Sequence, residues 1–172
     1  VSSPDGVEAF DQVVLAEHSD QALSLLADPS SLENELLSSI AYQENEVVLH
    51  TDASLIPRRS AAQASWNYLV PRESGSGVLV TYDMSRLQGI SSRHRFFVTL
   101  NGTDRIAPET ILRRFVYHHP VFDSAAIRAQ KFHSEISGTN RTHYCGAYWG
   151  HGFHEDGIKS ALEVCSQLGV EV

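Results

Sequence analysis

A glycine-rich stretch near the end of the chain has the residue types and spacing of a site for a polar ligand. It covers residues 144–157 and overlaps a short β-prone run over residues 142–146. Gly146, Gly150 and Gly152 place little side chain in the way of a close-approaching group. The pattern predicts a strand followed by a turn that holds a polar group.

The turn leads into a predicted helix over residues 157–168, whose apolar residues recur at helical spacing: Ile158, Ala161, Leu162, Cys165 and Leu168. A helix N-terminus offers free backbone N–H groups and the positive end of a dipole, which suit a phosphate or a developing anion. Glu155 and Asp156 would lie at the first turn. An acid there is also an ordinary helix cap, so spacing alone leaves a binding site and a plain strand–loop–helix connection equally open.

Short strands and helices share the rest of the chain. β-Branched and apolar runs between turn residues predict strands over residues 10–16, 46–51, 62–70, 78–83, 95–100 and 111–117. Apolar spacing and caps predict helices over residues 20–27, from Ser30 or Ser31 to about Ile40, and over 124–133. The predicted fold class is α+β, with a mixed, largely antiparallel sheet of about five or six strands covered by helices.

Three local expectations accompany these elements. The acidic residues of the second helix, Glu33 and Glu35, are expected to face water. Residues 118–120 (HHP) are expected to end the strand that precedes them. A turn is expected at residues 74–77, between two strands.

Composition and charge restrict the class of protein. At 172 residues the default is a single domain with its own core. With 13 basic and 21 acidic residues the formal net charge is -8, and no Lys/Arg cluster occurs, so nucleic acid is not expected as a partner. The sequence has no apolar run of about 18 residues and no leading signal segment, which predicts a cytoplasmic protein without a transmembrane segment. Cys145 and Cys165 are expected to be buried thiols of a reducing compartment.

Two other chemistries find weak patterns. The chain has nine histidines, yet His154-Glu155 lacks the second His that a zinc-peptidase helix needs, because position 158 is Ile. No metal site is predicted. Gly75-Ser76-Gly77 lacks the frame of a serine-hydrolase elbow, so acyl transfer has no support.

Aromatic residues supply candidate walls for a flat ring or an apolar substrate. These residues are Trp66, Tyr68, Tyr82, Tyr148 and Trp149. Each alone is as well explained by packing in a core. The adjacent pair Tyr148 and Trp149 in the glycine-rich stretch is the better candidate for contact with a ligand.

The same stretch resembles the C-terminal flavin-binding segment of a family of FAD-dependent oxidoreductases, at residues 144–148 (YCGAY) and 152–161 (GFHEDGIKSA). That family is related to flavin amine oxidases and phytoene desaturases, and a similar segment precedes the methyltransferase part of plant cyclopropane fatty acid synthases. The resemblance covers nearly the whole chain in the family's order, through FDQVVLA (10–16), HSDQAL (18–23), LHTD (49–52), ASWNY (64–68), VTYDM (80–84), FVTLN (97–101) and HHPVF (118–122).

The resemblance implies FAD as the cofactor and a set of cofactor-binding residues: Gly146, Ala147, Tyr148, Gly152, Asp156, Gly157 and Ile158. The first two would lie near the pyrophosphate and the ribityl chain. The last three would offer backbone N–H groups to the pyrimidine edge of the flavin, where negative charge accumulates on reduction. The candidates for a catalytic base are His154 and Glu155. Residues 10–26 and 142–168 would belong to the FAD-binding domain, and residues 46–122 would form the substrate-side sheet.

Two departures from the family pattern qualify this reading. No Gly-x-Gly-x-x-Gly, the turn that binds the ADP half of FAD, occurs in the sequence. Glu17 stands where the family has a small residue, usually Thr, in a loop that meets the dinucleotide. Together with the lack of an initiator Met and the polar start at residues 2–6 (SSPDG), the first departure indicates a C-terminal fragment of a longer protein. Such a fragment is expected to hold FAD weakly and to self-associate through uncovered sheet edges.

Two functions from different classes follow from these observations. The leading hypothesis is the substrate-side and C-terminal portion of an FAD-dependent oxidoreductase that abstracts hydride from a C–N or C–C bond of a small molecule, with a fatty-acyl or other lipid substrate implied by the resemblance. The alternative is a non-catalytic α+β binding or assembly module. A third hypothesis, a His-dependent metal hydrolase, predicts bound zinc.

Overall fold

The computed structural model of this chain describes residues 1–70 and 79–170. Over these residues the protein has an α+β fold, as the sequence predicts. The expected turn at residues 74–77, which includes Gly75-Ser76-Gly77, lies outside the described residues. No helix in the described part is long and apolar enough to cross a membrane.

Each predicted strand and helix has a counterpart, with boundaries that differ by a few residues. The strands are β1 (Ser2–Ser3), β2 (Gly6–Val7), β3 (Val13–Leu15), β4 (Ala41–His50), β5 (Trp66–Leu69), β6 (Leu79–Asp83), β7 (Phe97–Leu100), β8 (Ile111–Val121) and β9 (Thr142–Tyr144). The helices are α1 (Ser19–Leu25), α2 (Ser31–Ser38), α3 (Met84–Leu87), α4 (Ser124–Gln130), α5 (His133–Ile136) and α6 (His154–Gln167).

The chain divides into two compact units, although its length favours a single domain. Unit 1 consists of Val1–Gln43 and Pro120–Val172, and unit 2 is Glu44–His119. Unit 1 contains β3, β9 and helices α1, α2 and α4 to α6. Unit 2 contains β5 to β7 and the greater part of β4 and β8.

Unit 1 is built on a parallel strand pair whose members lie far apart in the sequence. Val13 of β3 lies opposite Thr142 of β9, and Leu15 lies opposite Tyr144. Helices pack around this pair and bury a core that consists of Ala22, Leu36, Leu37, Ala129, Ile136 and Tyr144. The glycine-rich stretch begins where β9 ends.

A buried acid, Glu33, connects the start of α2 to β9. The Glu33 carboxylate accepts the Ser30 backbone N–H at 2.8 Å, and the Tyr144 hydroxyl donates to its other oxygen at 2.6 Å. Glu33 is only 3% exposed. The expectation that Glu33 faces water is therefore wrong, because its capping role directs the side chain inward. Glu35, on the other side of the helix, is exposed as expected.

Hydrogen bonds decide the ionisation of this pair. Burial by itself would raise the pKa of Glu33, but the hydrogen bonds from Tyr144 and Ser30 outweigh it and lower that pKa below its ordinary value. Burial raises the pKa of Tyr144, and the adjacent Glu33 carboxylate raises it further. Glu33 is therefore ionised at neutral pH, and the Tyr144 phenol keeps the proton that it donates.

Unit 2 is built on the five-stranded sheet, in which the strand order is β5–β6–β7–β4–β8. Strands β5, β6, β7 and β4 pair with their neighbours in antiparallel register. A mixed sheet is predicted from the sequence, but the parallel pairing lies outside this sheet, between β3 and β9. Strands β5 and β8 form the edges.

A row of buried hydrogen bonds crosses this sheet. The imidazole of His50 accepts the Asp52 backbone N–H at Nδ1, and its Nε2 lies 2.8 Å from the Thr99 hydroxyl. The Thr99 hydroxyl lies 2.8 Å from that of Thr81 on the neighbouring strand. Burial lowers the pKa of His50, which keeps the ring neutral with its proton on Nε2.

Two predicted boundaries are wrong. The tripeptide at residues 118–120 does not end a strand, because β8 continues to Val121. Pro120 is tolerated there because an edge strand leaves some N–H groups outside the ladder. The helix predicted over residues 124–133 is interrupted after Gln130. There the backbone hydrogen bonds join residues three apart, such as Phe132 N–H to Ala129 C=O, and form a tighter turn before α5 begins.

The replacement Tyr144→Phe tests the buried bond to Glu33. It leaves the ring in place and removes one hydrogen bond to an ionised acceptor, so we expect a loss of about 2 kcal/mol in the free energy of unfolding. Urea unfolding at pH 7 measures this loss. An unchanged urea midpoint would show that the hydroxyl contributes nothing to stability.

The same variant makes a prediction about pH. Because the pKa of Glu33 is lower in the folded state than in the unfolded state, the stabilisation is complete above the unfolded pKa and disappears as the pH falls through the folded pKa. We expect the stability difference between wild type and Tyr144→Phe to shrink below about pH 4. A difference that stays constant from neutral to strongly acidic pH would contradict this assignment.

Candidate functional site

The glycine-rich stretch follows β9 and is held at its start by Ser160 of α6. The Cys145 N–H donates to the Leu15 carbonyl at 3.0 Å and extends the pairing of the two parallel strands. The Gly146 N–H donates to the Ser160 hydroxyl at 2.9 Å, and that hydroxyl is 3.2 Å from the Gly146 carbonyl oxygen. A short 3-10 turn, Ala147–Trp149, then leads towards the helix.

The carboxylate of Asp156 organises the rest of the loop. One oxygen accepts the backbone N–H groups of His151 and Phe153, at 3.1 and 2.9 Å. Asp156 is thus a first-turn acid, as the sequence predicts, and it serves as an internal cap. The N–H groups of Asp156 and Gly157 donate to the Phe153 carbonyl at 3.0 and 3.2 Å. Both are already used within the turn, which differs from the expectation that they point at a ligand.

Each glycine of the stretch is tested by the space that a Cβ atom would have at its position. A Cβ on Gly146 would collide with the ring of Tyr148, and a Cβ on Gly150 would lie about 2.6 Å from the carboxyl carbon of Asp156. Gly152 has a positive φ of 87°. A Cβ on Gly157, in contrast, would lie 3.8 Å from the nearest atom, the backbone nitrogen of Ala147. Internal packing therefore accounts for Gly146 and Gly150, but does not require a glycine at position 157.

Tyr148 and Trp149 pack inside unit 1. Tyr148 is 3% exposed and belongs to a cluster with Ile40 and Ala126. The Trp149 ring stacks on the His133 ring with 4.4 Å between centroids. This packing accounts for both aromatics in the loop, which the sequence assigned preferentially to contact with a ligand.

His133 fixes the position of the Trp149 ring that stacks on it. Its Nε2 lies 2.6 Å from the Tyr144 carbonyl oxygen and must donate to it, because a carbonyl oxygen only accepts. Its Nδ1 lies 3.2 Å from a carboxylate oxygen of Glu163 on α6. His133 therefore joins α5, β9 and α6. The sequence offered no signal for this role, since the three partners are distant along the chain.

A small polar cleft of about 190 Å³ opens beside this histidine. Its lining residues are Gln130, His133, Trp149, Gly150, Asp156, Lys159, Ser160 and Glu163. Among the polar groups of the cleft, the Gln130 side-chain amide and the Gly150 carbonyl are already hydrogen-bonded. The Gln130 amide donates to the carbonyls of Tyr148 and Gly150 at 2.9 and 2.6 Å. The cleft contains Asp156 from the implied cofactor-binding set, but neither of the candidate bases.

His154 and Glu155 lie on the exposed first turn of α6. Glu155 is 3.8 Å from Lys159 in a helical surface ion pair. Such a pair contributes little energy and holds the carboxylate loosely. The role of either residue as a base stays a prediction.

The buried face of α6 differs from the predicted one. Ile158, Leu162 and Leu168 are 57%, 43% and 39% exposed, whereas Ser160 and Val164 are buried. The apolar spacing correctly predicts a helix, but the hydroxyl of Ser160 is drawn inward by Gly146. Unit 1 therefore carries exposed apolar side chains on its last helix.

A second group of residues lies at the carboxyl end of β3. The Ser19 N–H, at the start of α1, donates to the Tyr42 hydroxyl at 2.9 Å. The His18 ring stacks on the Tyr42 ring with 4.4 Å between centroids. Sequence reasoning singled out Glu17 here and missed Tyr42, whose position in a β-strand gives no indication of these contacts.

Burial disfavours ionisation of Tyr42, Tyr148 and Cys145 around this end. It raises the pKa of Tyr148 well above its usual range, and the nearby Tyr42 and Glu17 raise it further, while a hydrogen bond with Trp149 acts in the opposite direction. Burial also raises the pKa of Tyr42, although its hydrogen bonds with Ser19 act in the opposite direction. The pKa of the Cys145 thiol is raised by burial, by Cys165 and by Glu17. Both cysteines are free thiols, and Cys145 is buried as expected, while Cys165 is half-buried.

Within residues 1–70 and 79–170, no three His, Cys, Asp or Glu side chains come together in an arrangement that could hold a metal ion. Comparison with known proteins adds no family assignment: no family model matches the chain, and a search of curated proteins finds no match.

A matched pair of alanine variants tests the different roles of the glycines. Gly146→Ala places a methyl group against the Tyr148 ring, so we expect a loss of about 1–3 kcal/mol in the free energy of unfolding. Gly157→Ala has room for its methyl group inside a helix and should gain about 0.5–1 kcal/mol. Urea unfolding of both variants measures the difference. A destabilised Gly157→Ala would show that packing, and not an approaching group, requires this glycine.

Proposed function

We propose that this chain is the substrate-side and C-terminal portion of an FAD-dependent oxidoreductase related to flavin amine oxidases and phytoene desaturases. The observation that carries the proposal is the junction after β9, where a parallel strand leads through a glycine-rich loop into α6 and the packing at the helix start would accept a methyl group at Gly157 in ordinary contact with Ala147. A close-approaching group gives this glycine a function that internal packing does not.

The strand arrangement supports the same reading. Ligands of α/β units bind beyond the carboxyl ends of parallel strands. β3 and β9 are parallel, and their carboxyl ends bring Glu17 and Gly146 to the same side of unit 1. The two segments assigned to an FAD-binding domain by resemblance thus contain the two paired strands.

Exposed apolar residues support the view that unit 1 is completed by further protein. Val14 of β3 is 44% exposed, and Ile158 of α6 is 57% exposed. Parallel strands in proteins are covered on both faces, so an open parallel pair with apolar surface favours additional packing elements. A nucleotide-binding half that carries the Gly-x-Gly-x-x-Gly turn would supply them.

In the proposed complex with FAD, each part of the loop has its own role. Gly146 and Ala147 would lie beside the pyrophosphate and ribityl chain, while Gly157 would let the helix start approach the flavin. The Asp156 carboxylate would hold the loop in shape, because it accepts the backbone N–H groups of the loop residues His151 and Phe153. Bound flavin would accept the hydride, and the protein would position and polarise it. The substrate would give up the hydride of a C–H bond, so that its C–N or C–C bond is oxidised. It would be a fatty-acyl or other lipid molecule.

Flavin retention tests the proposal. The full-length gene product and residues 1–172 are each incubated with FAD, freed of excess, and examined by visible absorption. We expect a flavin band in the first and little or none in the second, because the sequence lacks the ADP-binding turn. Absence of the band from both would overturn the oxidoreductase and favour a non-catalytic binding or assembly module.

Gly157→Ala in the full-length product adds a control for folding. The methyl group should raise or preserve stability while it weakens flavin retention by about tenfold or more, through steric exclusion at the helix start. Ser134→Ala, a change elsewhere on unit 1, should leave retention unchanged. Equal retention by wild type and Gly157→Ala would remove the observation on which the proposal depends.

A further inference from the structure

A groove opens on the surface of unit 1 between α2 and the segment that carries α4 and α5. Its volume is about 360 Å³, which lies at the lower end of the range usual for sites that hold a small molecule. Leu36 and Ala129, both buried, form its floor, and Leu32 and Phe132 line its sides. We call it the α2–α4 groove. None of its lining residues belongs to the implied cofactor-binding set, so an inference about this groove is independent of the proposed function.

Three charged side chains stand at the rim of the α2–α4 groove: Glu35 of α2, Arg128 of α4 and Glu135 of α5. All three are exposed. Among the residues that the structure describes, none of these three side chains forms an ion pair or a hydrogen bond. Glu35 precedes Leu36, and Arg128 precedes Ala129, so an anion and a cation flank the same apolar floor from different helices.

Phe132 gives the groove an aromatic surface. It is 43% exposed, and Leu32, which also lines the groove, is half-buried. An apolar side chain seated against them would remove apolar surface from water on both sides of the contact. An aromatic ring would gain further from pairing with the Phe132 ring. The groove therefore favours a ligand with an apolar, and best an aromatic, body.

The rim charges decide which aromatic ligand fits. An aromatic carboxylate would pair with Arg128 but would be repelled by Glu35 and Glu135, and an aromatic amine would pair with the two carboxylates but would be repelled by Arg128. A small ligand that carries both groups satisfies both signs. Its carboxylate accepts from the guanidinium group, and its ammonium group donates to a carboxylate.

We propose that the α2–α4 groove binds a free aromatic α-amino acid. Arg128 binds its carboxylate, Glu35 binds its ammonium group, and its side chain lies on Ala129 against Phe132. Glu135 adds negative potential at the rim, which favours the ammonium group and opposes a ligand that carries a carboxylate alone.

Isothermal titration calorimetry of the 172-residue chain tests this assignment with four related probes. L-Phenylalanine carries both charged groups and the ring. Phenethylamine lacks the carboxylate, 3-phenylpropionate lacks the ammonium group, and L-alanine lacks the ring. We expect phenylalanine to bind about tenfold more tightly than each of the other three, because each of them loses a charged contact or the apolar contact.

Two variants separate the charged contacts. Arg128→Gln and Glu35→Gln should each weaken phenylalanine binding by about tenfold. Arg128→Gln should not weaken phenethylamine binding, and Glu35→Gln should not weaken 3-phenylpropionate binding, because each probe lacks the group that the replaced side chain binds. Lys131→Gln is the matched control, since it removes an exposed positive charge of unit 1 that does not line the groove, and it should leave phenylalanine binding unchanged. The replaced side chains are all exposed, so the urea midpoints of the variants should match that of wild type.

Each contrary result overturns the proposal in a different way. Equal affinity for phenylalanine and 3-phenylpropionate would show a site for aromatic anions, and equal affinity for phenylalanine and phenethylamine would show a site for amines. Equal affinity for alanine would show that the apolar surface of the groove takes no part. Phenylalanine binding that survives Arg128→Gln, or that Lys131→Gln weakens as much, would place the ligand outside the groove or reduce the effect to overall charge. If no probe binds, this proposal is wrong, whereas the flavin proposal, which uses none of these residues, is unaffected.

Discussion

The parallel pairing of β3 with β9 is the constraint on which unit 1 depends. It joins Val13–Leu15 to Thr142–Tyr144, segments separated by most of the chain, and sets the positions of both loops that follow them. Tyr144 then extends the constraint to the helices: its carbonyl accepts from His133, and its hydroxyl donates to Glu33. The loss of any of these contacts would therefore shift β9 and, with it, the glycine-rich loop that follows.

The charges at the start of α6 restrict the kind of group that could bind to this loop. The helix N-terminus favours an anion, but Asp156 already places a carboxylate there and satisfies two loop N–H groups. A second full charge close by would meet repulsion as well as the dipole. An uncharged or weakly charged edge of a ring can use the remaining positive potential at a lower electrostatic cost. In the proposed complex, the nearly neutral edge of a flat ring would therefore approach Gly157 at a lower electrostatic cost than a free phosphate.

Sequence patterns predicted the local elements well and their tertiary context less well. Turn residues and alternation predicted the strands of unit 2, and apolar spacing predicted α6, because these signals depend on neighbours along the chain. The inward direction of Glu33 and the exposed side of α6 could not be predicted, because Tyr144 and Gly146 determine them from distant positions. The same reason explains why Glu17 was noticed as an unusual acid, whereas Tyr42, which contacts the adjacent His18 and Ser19 from a distant strand, was not connected with this segment.

Tyr144 and Tyr148 illustrate how one fold uses the same side chain in two different environments. Both phenols are buried, and burial raises both pKa values, so both are neutral donors. Tyr144 reaches an ionised carboxylate and stabilises the fold, while the Tyr148 ring packs with Ile40 and Ala126 and its hydroxyl lies beside the Trp149 indole. Removal of the Tyr144 hydroxyl therefore takes a donor from an ionised carboxylate, whereas removal of the Tyr148 hydroxyl takes no bond from a charged group.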